Sequence, residues 1–234
     1  MRTIKKQARL AGFLYFLIGI TAPIGLLYVP GKVIVSGDAT ATADRIRASE
    51  SLFRIGIASE LIPQVIAIFV VLALYRLFKG VNEARARELV ILGALVSAPI
   101  MFVNVLNELA ALILVSGVAF LSVFDRPQLD ALAYLFIRLH TQGLDVASIF
   151  WGLWLFPFGV LAVKSGFIPR IFGYLLFVAG FAYVVNAFTS LLVPQYASQV
   201  GKVAMILYFG EPPIMLWLLI MGAWGPRANE MVPA

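Results

Sequence analysis

Eleven polar or charged side chains sit within or at the edges of stretches that are otherwise oil-like. They are Glu60 and Gln64; Asn104, Asn107 and Glu108; Arg138, His140, Gln142 and Asp145; Asn186; and Glu211. At helical spacing Glu60 shares a face with Gln64, Asn104 with Glu108, and Gln142 with Asp145. Arg138 lies one turn before Gln142. A carboxyl group in hydrocarbon costs from about 2.5 kcal/mol upward unless it is paired, hydrated or protonated. Four of them, Glu60, Glu108, Asp145 and Glu211, stand on four separate apolar runs, so they are expected to face one another or water. Such a set suits a proton or a small polar or cationic solute. The plainer role for the same groups is hydrogen-bond glue between helices, with Arg54 or Arg138 neutralising an acid.

His140 is the only histidine, and it is expected to be interfacial or hydrogen-bonded rather than a metal ligand. At about 100° per residue it points about 140° around a helix from Asp145, so a site shared by those two needs an irregular helix. No cofactor and no resident metal are expected. If a metal were held, the donors would come from Glu108, His140, Asp145 and Glu211.

Other chemistries are excluded by what is missing. Cysteine is absent, which removes disulfides, thiol nucleophiles and thiolate metal sites. There is no H-E-x-x-H, no G-x-S-x-G, no phosphate loop and no dinucleotide fingerprint. One histidine cannot supply a bis-histidine haem, and the lysines lie at the ends of apolar runs, where they cannot carry a mid-membrane retinal.

The elements that must position these groups follow from composition. Of 234 residues, 62% are hydrophobic and 13% charged, with mean hydropathy +0.96. A soluble domain has roughly 45–50% apolar and about 25% charged residues. The apolar runs are long and unbroken rather than alternating, which points to an all-α polytopic membrane bundle and not a β-barrel. Six spans are expected, at about 10–28, 55–78, 89–121, 128–163, 171–193 and 203–224, forming one six-span membrane domain over 10–224. Residues 1–9 read as a basic cytoplasmic amino terminus and 225–234 as a cytoplasmic tail. The first run is too long for a signal-peptide core of roughly 7–15 residues and has no cleavage site directly after it. The third and fourth runs are overlong. At ~1.5 Å per residue the third reaches about 50 Å, against a hydrocarbon core of ~30 Å. Pairing them around the 125–127 turn puts Glu108 level with Leu144 and Asp145. Thr40 or Thr42 is the expected cap of a short surface helix before the second span.

Lysine and arginine set the sidedness. Eleven fall on the side of the amino terminus, the 76–88 loop, the 164–170 turn and the tail; seven fall on the other. By the positive-inside rule both termini are cytoplasmic, and the polar groups lie in the outer half of the membrane. The net charge of +6 is read the same way, as membrane sidedness and not as nucleic-acid binding. An internal echo adds to this. Arg9-Leu-Ala-Gly-Phe-Leu-Tyr-Phe-Leu-Ile-Gly19 aligns with Arg170-Ile-Phe-Gly-Tyr-Leu-Leu-Phe-Val-Ala-Gly180, and each is followed by a span carrying an acid and then proline. The glycines in each stretch share a face and suit close helix packing.

Four stretches carry a family resemblance: Arg9-Leu-Ala-Gly-Phe-Leu-Tyr15; Leu139-His140 with Gly143; Phe150-Trp-Gly-Leu-Trp-Leu-Phe-Pro-Phe-Gly159; and Ser165-Gly-Phe-Ile-Pro-Arg-Ile-Phe-Gly173. Together they resemble the bacterial membrane proteins of domain-of-unknown-function family 4386 (DUF4386). The resemblance implies a six-span bacterial membrane protein. It implies no reaction and assigns no functional residue.

Three functions stay open on this reading. The first is binding or translocation of a small polar or cationic solute, or a proton, in an acidic pocket of the outer half-membrane. The second is an intramembrane, metal-assisted hydrolase acting on lipid. The third is a non-catalytic subunit or sensor docking through the hairpin of the third and fourth helices. The expected partners are membrane lipid and a small ligand, with homo-oligomers open and nucleic acid excluded. The expected location is the bacterial inner membrane.

Overall fold

Each long apolar run winds into a helix, because hydrocarbon leaves backbone N–H and C=O groups no partner but one another. The computed structural model describes residues 2–224. In it, six helices are long and apolar enough to cross a membrane: α1 (Ile4–Val33), α3 (Glu50–Phe78), α4 (Glu83–Val115), α5 (Arg126–Ser165), α6 (Arg170–Leu192) and α7 (Pro194–Ile220). A short helix, α2 (Ala39–Ala48), precedes α3. No strand occurs among the described residues. The protein is therefore an all-α, multi-pass membrane protein. The tail expected at 225–234 lies outside the described residues.

The helix ends show local chemistry at work. Asp38 caps α2 by accepting a bond from Ala41 N at 2.8 Å. The expected threonine cap is instead turned back: the Thr42 hydroxyl donates to the Asp38 carbonyl at 2.7 Å. Asn82 caps α4 through Arg85 N, which starts that helix six residues before the apolar run. Gly117, at φ +71°, stops it after Val115, earlier than apolarity alone implies. Asp125 and Gln128 form a reciprocal capping box that opens α5. Proline marks irregular turns inside the helices. Pro23 leads into a π-helical turn, Ile24–Tyr28, within α1. Glu211-Pro212-Pro213 lies at a break within α7. The stretch after Pro194, expected as a loop, is helical.

The chain forms two compact units. Among the described residues, one comprises 2–18, 65–99 and 145–224. Its core gathers Phe78, Phe158 and Phe167 with Leu74, Leu155, Leu176 and Ile214. Here α5 and α6 meet backbone to backbone. A Cβ on Gly152 would come within 2.6 Å of the Gly180 carbonyl, and one on Gly159 within 2.9 Å of the Gly173 carbonyl. The repeated Gly173/Gly180 face is thus a packing face.

The second unit comprises 19–64 and 100–144. Its apolar core joins Val29, Val33, Ile46, Phe53, Ile57, Val105, Leu112 and Ile137. At one end of this core lies an ion network. Arg47 pairs with Asp130 and with Asp44 (2.8 Å), and donates to the Val115 carbonyl at 3.2 Å. Arg126 joins Asp44 from α5 at 2.7 Å and, with Arg47, holds that carboxyl below the usual carboxylate range. Asp130 is only 1% exposed. Arg47→Ala strands that charge and is expected to cost about 3–5 kcal/mol in thermal unfolding in detergent. The double variant Arg47→Met with Asp130→Leu recovers most of the loss. A shift of less than about 0.5 kcal/mol for Arg47→Ala would remove the network from the account of stability.

Candidate functional site

On three helices of the second unit, the 3–4 spacing that buries apolar side chains also buries polar ones. On α3 the inward face runs Phe53, Ile57, Glu60, Gln64. On α4 it runs Met101, Asn104, Val105, Glu108, Ala111 and Leu112. On α5 it runs Asp130, Ala133, Ile137 and His140. Glu60, Glu108 and His140 are 1%, 4% and 5% exposed.

Glu60 sits where the backbone is least regular. Pro63 takes away the N–H that would bond the Ser59 carbonyl, and the Ser59 hydroxyl folds back onto the Ile55 carbonyl at 2.7 Å. Against Glu60 lies the π-helical turn of α1. A Cβ on Gly25 would stand 2.6 Å from Glu60 Cγ and 2.8 Å from the Gly56 carbonyl. A side chain at position 25 would push the carboxylate out of place.

The histidine is met from two sides. Nε2 of His140 stands 2.9 Å from Glu60 Oε2 and 3.9 Å from Glu108 Oε2. Either Nε2–H donates to the Glu60 carboxylate, or a protonated carboxyl donates to Nε2. Asn104 holds the backbone beneath the ring: its amide donates to the His140 carbonyl at 3.0 Å. Asn107 in turn donates to the Asn104 carbonyl (3.1 Å) and to Asn104 Oδ1 (3.2 Å). The Asn104 carboxamide lies over Gly143, where a Cβ would overlap it.

This register corrects the expected one. Glu108 is level with His140, one turn away from Leu144 and Asp145. The cause is the connection between α4 and α5, which is not a tight turn at 125–127. It is a longer link through Gly117, a 3-10 turn at Ala119–Leu121 and the Asp125 cap, so the pairing slides by about one turn.

Polar capacity is left over. Glu60 Oε1 and Glu108 Oε2 are buried without a hydrogen-bond partner among the described residues. One ligand atom from each of Glu60, Glu108 and His140 lies within 4.8 Å of the other two. Two carboxylates around one imidazole, closed off from water, can share a proton or close on a cation.

The other expected residues fall as follows. Gln64 is buried one turn beyond Glu60, Gln142 and Asn107 are half-buried, and Arg138 is exposed. Asp145, Asn186 and Glu211 belong to the first unit and are half-buried there. Ser148 donates to the Asp145 carbonyl at 2.8 Å, the buried Asn186 Oδ1 lacks a partner, and Glu211 precedes the last helical segment. Sequence reasoning missed Asp130. The signal was present: Asp130, Ala133, Ile137 and His140 are spaced 3, 4 and 3, which puts Asp130 on the buried face.

Gly143→Ala is expected to push the Asn104 amide off the His140 carbonyl and to destabilise the protein by about 1–3 kcal/mol. Adding Asn104→Ala to that variant recovers part of the loss, giving a coupling well above about 0.5 kcal/mol in a double-mutant cycle of thermal unfolding. Additive losses would contradict the packing described here.

Comparison with known proteins bears on the whole chain. A 79-residue stretch is 38% identical to an uncharacterized protein of Archaeoglobus fulgidus. The match covers 34% of this chain and 46% of the relative, so less than half of the relative's length is spanned. No solved structure matches. The family model described as "Domain of unknown function (DUF4386)" matches residues 10–222, nearly the whole of the described chain, and the protein belongs to that family.

Proposed function

We propose that this membrane protein binds a small cation or a proton at Glu60, Glu108 and His140 and passes it across the membrane. One observation carries the reading: three titratable side chains from three helices converge while buried, with carboxylate oxygens left unpartnered. A cluster serving only as interhelical glue would be expected to satisfy those oxygens. Gln64, Asn107 and Gln142 extend the polar lining beside it. Arg138, exposed one turn before Gln142, completes the proposed path within the second unit.

The proposed setting is a bacterial plasma membrane, with one six-span domain and both termini in the cytoplasm. The basic residues flanking the spans support that sidedness.

Two measurements test the proposal. Purified protein in mild detergent is heated with sodium, potassium, ammonium, magnesium, manganese or zinc ions, and across a range of pH. At least one ion, or the proton, should raise the unfolding temperature. Saturation at about 100 times the dissociation constant corresponds to about 2.7 kcal/mol. Glu60→Gln and Glu108→Gln should each abolish the shift. A shift that survives both substitutions, or no shift with any of them, rejects the site. For sidedness, the cysteine-free chain gives a clean background. Asp125→Cys should react with an impermeant maleimide in intact cells, and Lys79→Cys only after permeabilisation. The reverse pattern inverts the topology.

A further inference from the structure

We infer that the ion held at Glu60, Glu108 and His140 is a divalent first-row transition metal of the manganese, iron and zinc class. This rests on the cation reading above and narrows it.

The donor set selects the class. Alkali ions, magnesium and calcium take oxygen ligands almost alone, whereas an imidazole nitrogen suits iron or zinc, and the two carboxylates also suit manganese. Two carboxylates with one imidazole form an O,O,N set of borderline hardness, with no thiolate to draw in softer ions. Charge points the same way. A divalent ion between two carboxylates and a neutral imidazole leaves no net charge, while a monovalent ion leaves one negative charge in an apolar surround.

Distances agree. Ligands about 2.1 Å from a metal, subtending about 90–110° there, stand roughly 3.0–3.4 Å apart. His140 Nε2 lies 2.9 Å from one carboxylate oxygen and 3.9 Å from the other, and all three donors lie within 4.8 Å of one another, so closing on an ion asks for side-chain shifts of up to about 1.5 Å. The partnerless Glu108 Oε2 is the oxygen that faces Nε2, and the partnerless Glu60 Oε1 is a further donor. The backbone carrying the ring is already pinned by Asn104 over Gly143, so the histidine is held near the two carboxylates through its main chain.

The test uses the full chain in detergent, stripped with a chelator and dialysed against zinc, manganese, magnesium or sodium ions, with bound metal counted by elemental analysis. About one zinc or manganese ion per chain is expected, undisplaced by excess magnesium or sodium. His140→Gln, Glu60→Gln and Glu108→Gln should each weaken binding by about 100-fold or more. Asn104→Ala, which loosens only the backbone under the ring, should weaken it less than any of the ligand substitutions. Glu50→Gln, an exposed acid on the same helix α3, should leave it unchanged. Should the glutamine variants fail to fold, Glu108→Asp keeps the charge but withdraws it by one methylene, and should still lower affinity about 10-fold or more. Metal bound equally by wild type and all ligand variants overturns the inference as adventitious binding. No divalent binding, together with a monovalent or proton-dependent thermal shift lost in Glu60→Gln, overturns the metal assignment and leaves the cation reading standing. The absence of both removes the two together.

Discussion

A carboxylate has no good solvent inside a bundle of apolar helices, and the second unit of this protein buries two within reach of one imidazole. Each alone would cost several kcal/mol. The unit contains the devices that offset this: His140 close to both acids, an asparagine pair fixing the backbone that carries His140, and glycines that let the helices approach. Removing His140 returns the cost of an unpaired buried charge, whereas removing an asparagine or filling a glycine disturbs the packing that holds the ring in place. The cluster is therefore a constraint on the packing around it and not an addition to a finished core.

The same unit handles a second buried acid differently. Asp130 is met by Arg47, which also reaches Asp44 and the last carbonyl of α4, so that acid has a dedicated cation and lies in an ion-pair network. Among the described residues, Glu60 and Glu108 have no arginine or lysine within ion-pair range; their partner is a histidine, whose charge is optional. That contrast separates a structural salt bridge from a group able to accept something more. In the first unit the binding force is different again: aromatic side chains interleave, and α5 and α6 interlock through Gly152, Gly159, Gly173 and Gly180.

Much of this was legible in the residues. Helix class and the six spans follow from unbroken apolar runs. The separate sharing of faces by Glu60 with Gln64, and by Asn104 with Glu108, follows from helical periodicity. What periodicity alone does not carry is the phase of one helix against another. The pairing of His140 with Glu108 depends on where α4 stops, and that depends on Gly117 and the Asp125 cap rather than on hydropathy. Counting from a tight turn at 125–127 therefore missed the register by one turn. Asp130 was overlooked for a simpler reason. It stands in the first turns of its helix, shortly after the polar Asp125, Arg126 and Gln128, and only its spacing to Ile137 and His140 marks it as buried.

Because the chain has a single histidine, selective nitrogen-15 labelling of histidine reports on His140 alone. Nuclear magnetic resonance of its ring nitrogens is thus the most direct measurement of the cluster. The account predicts that Nε2 shifts in Glu60→Gln, and shifts again when the wild type is saturated with zinc. A ring that follows bulk pH as a free imidazole does, unmoved by either change, would contradict it.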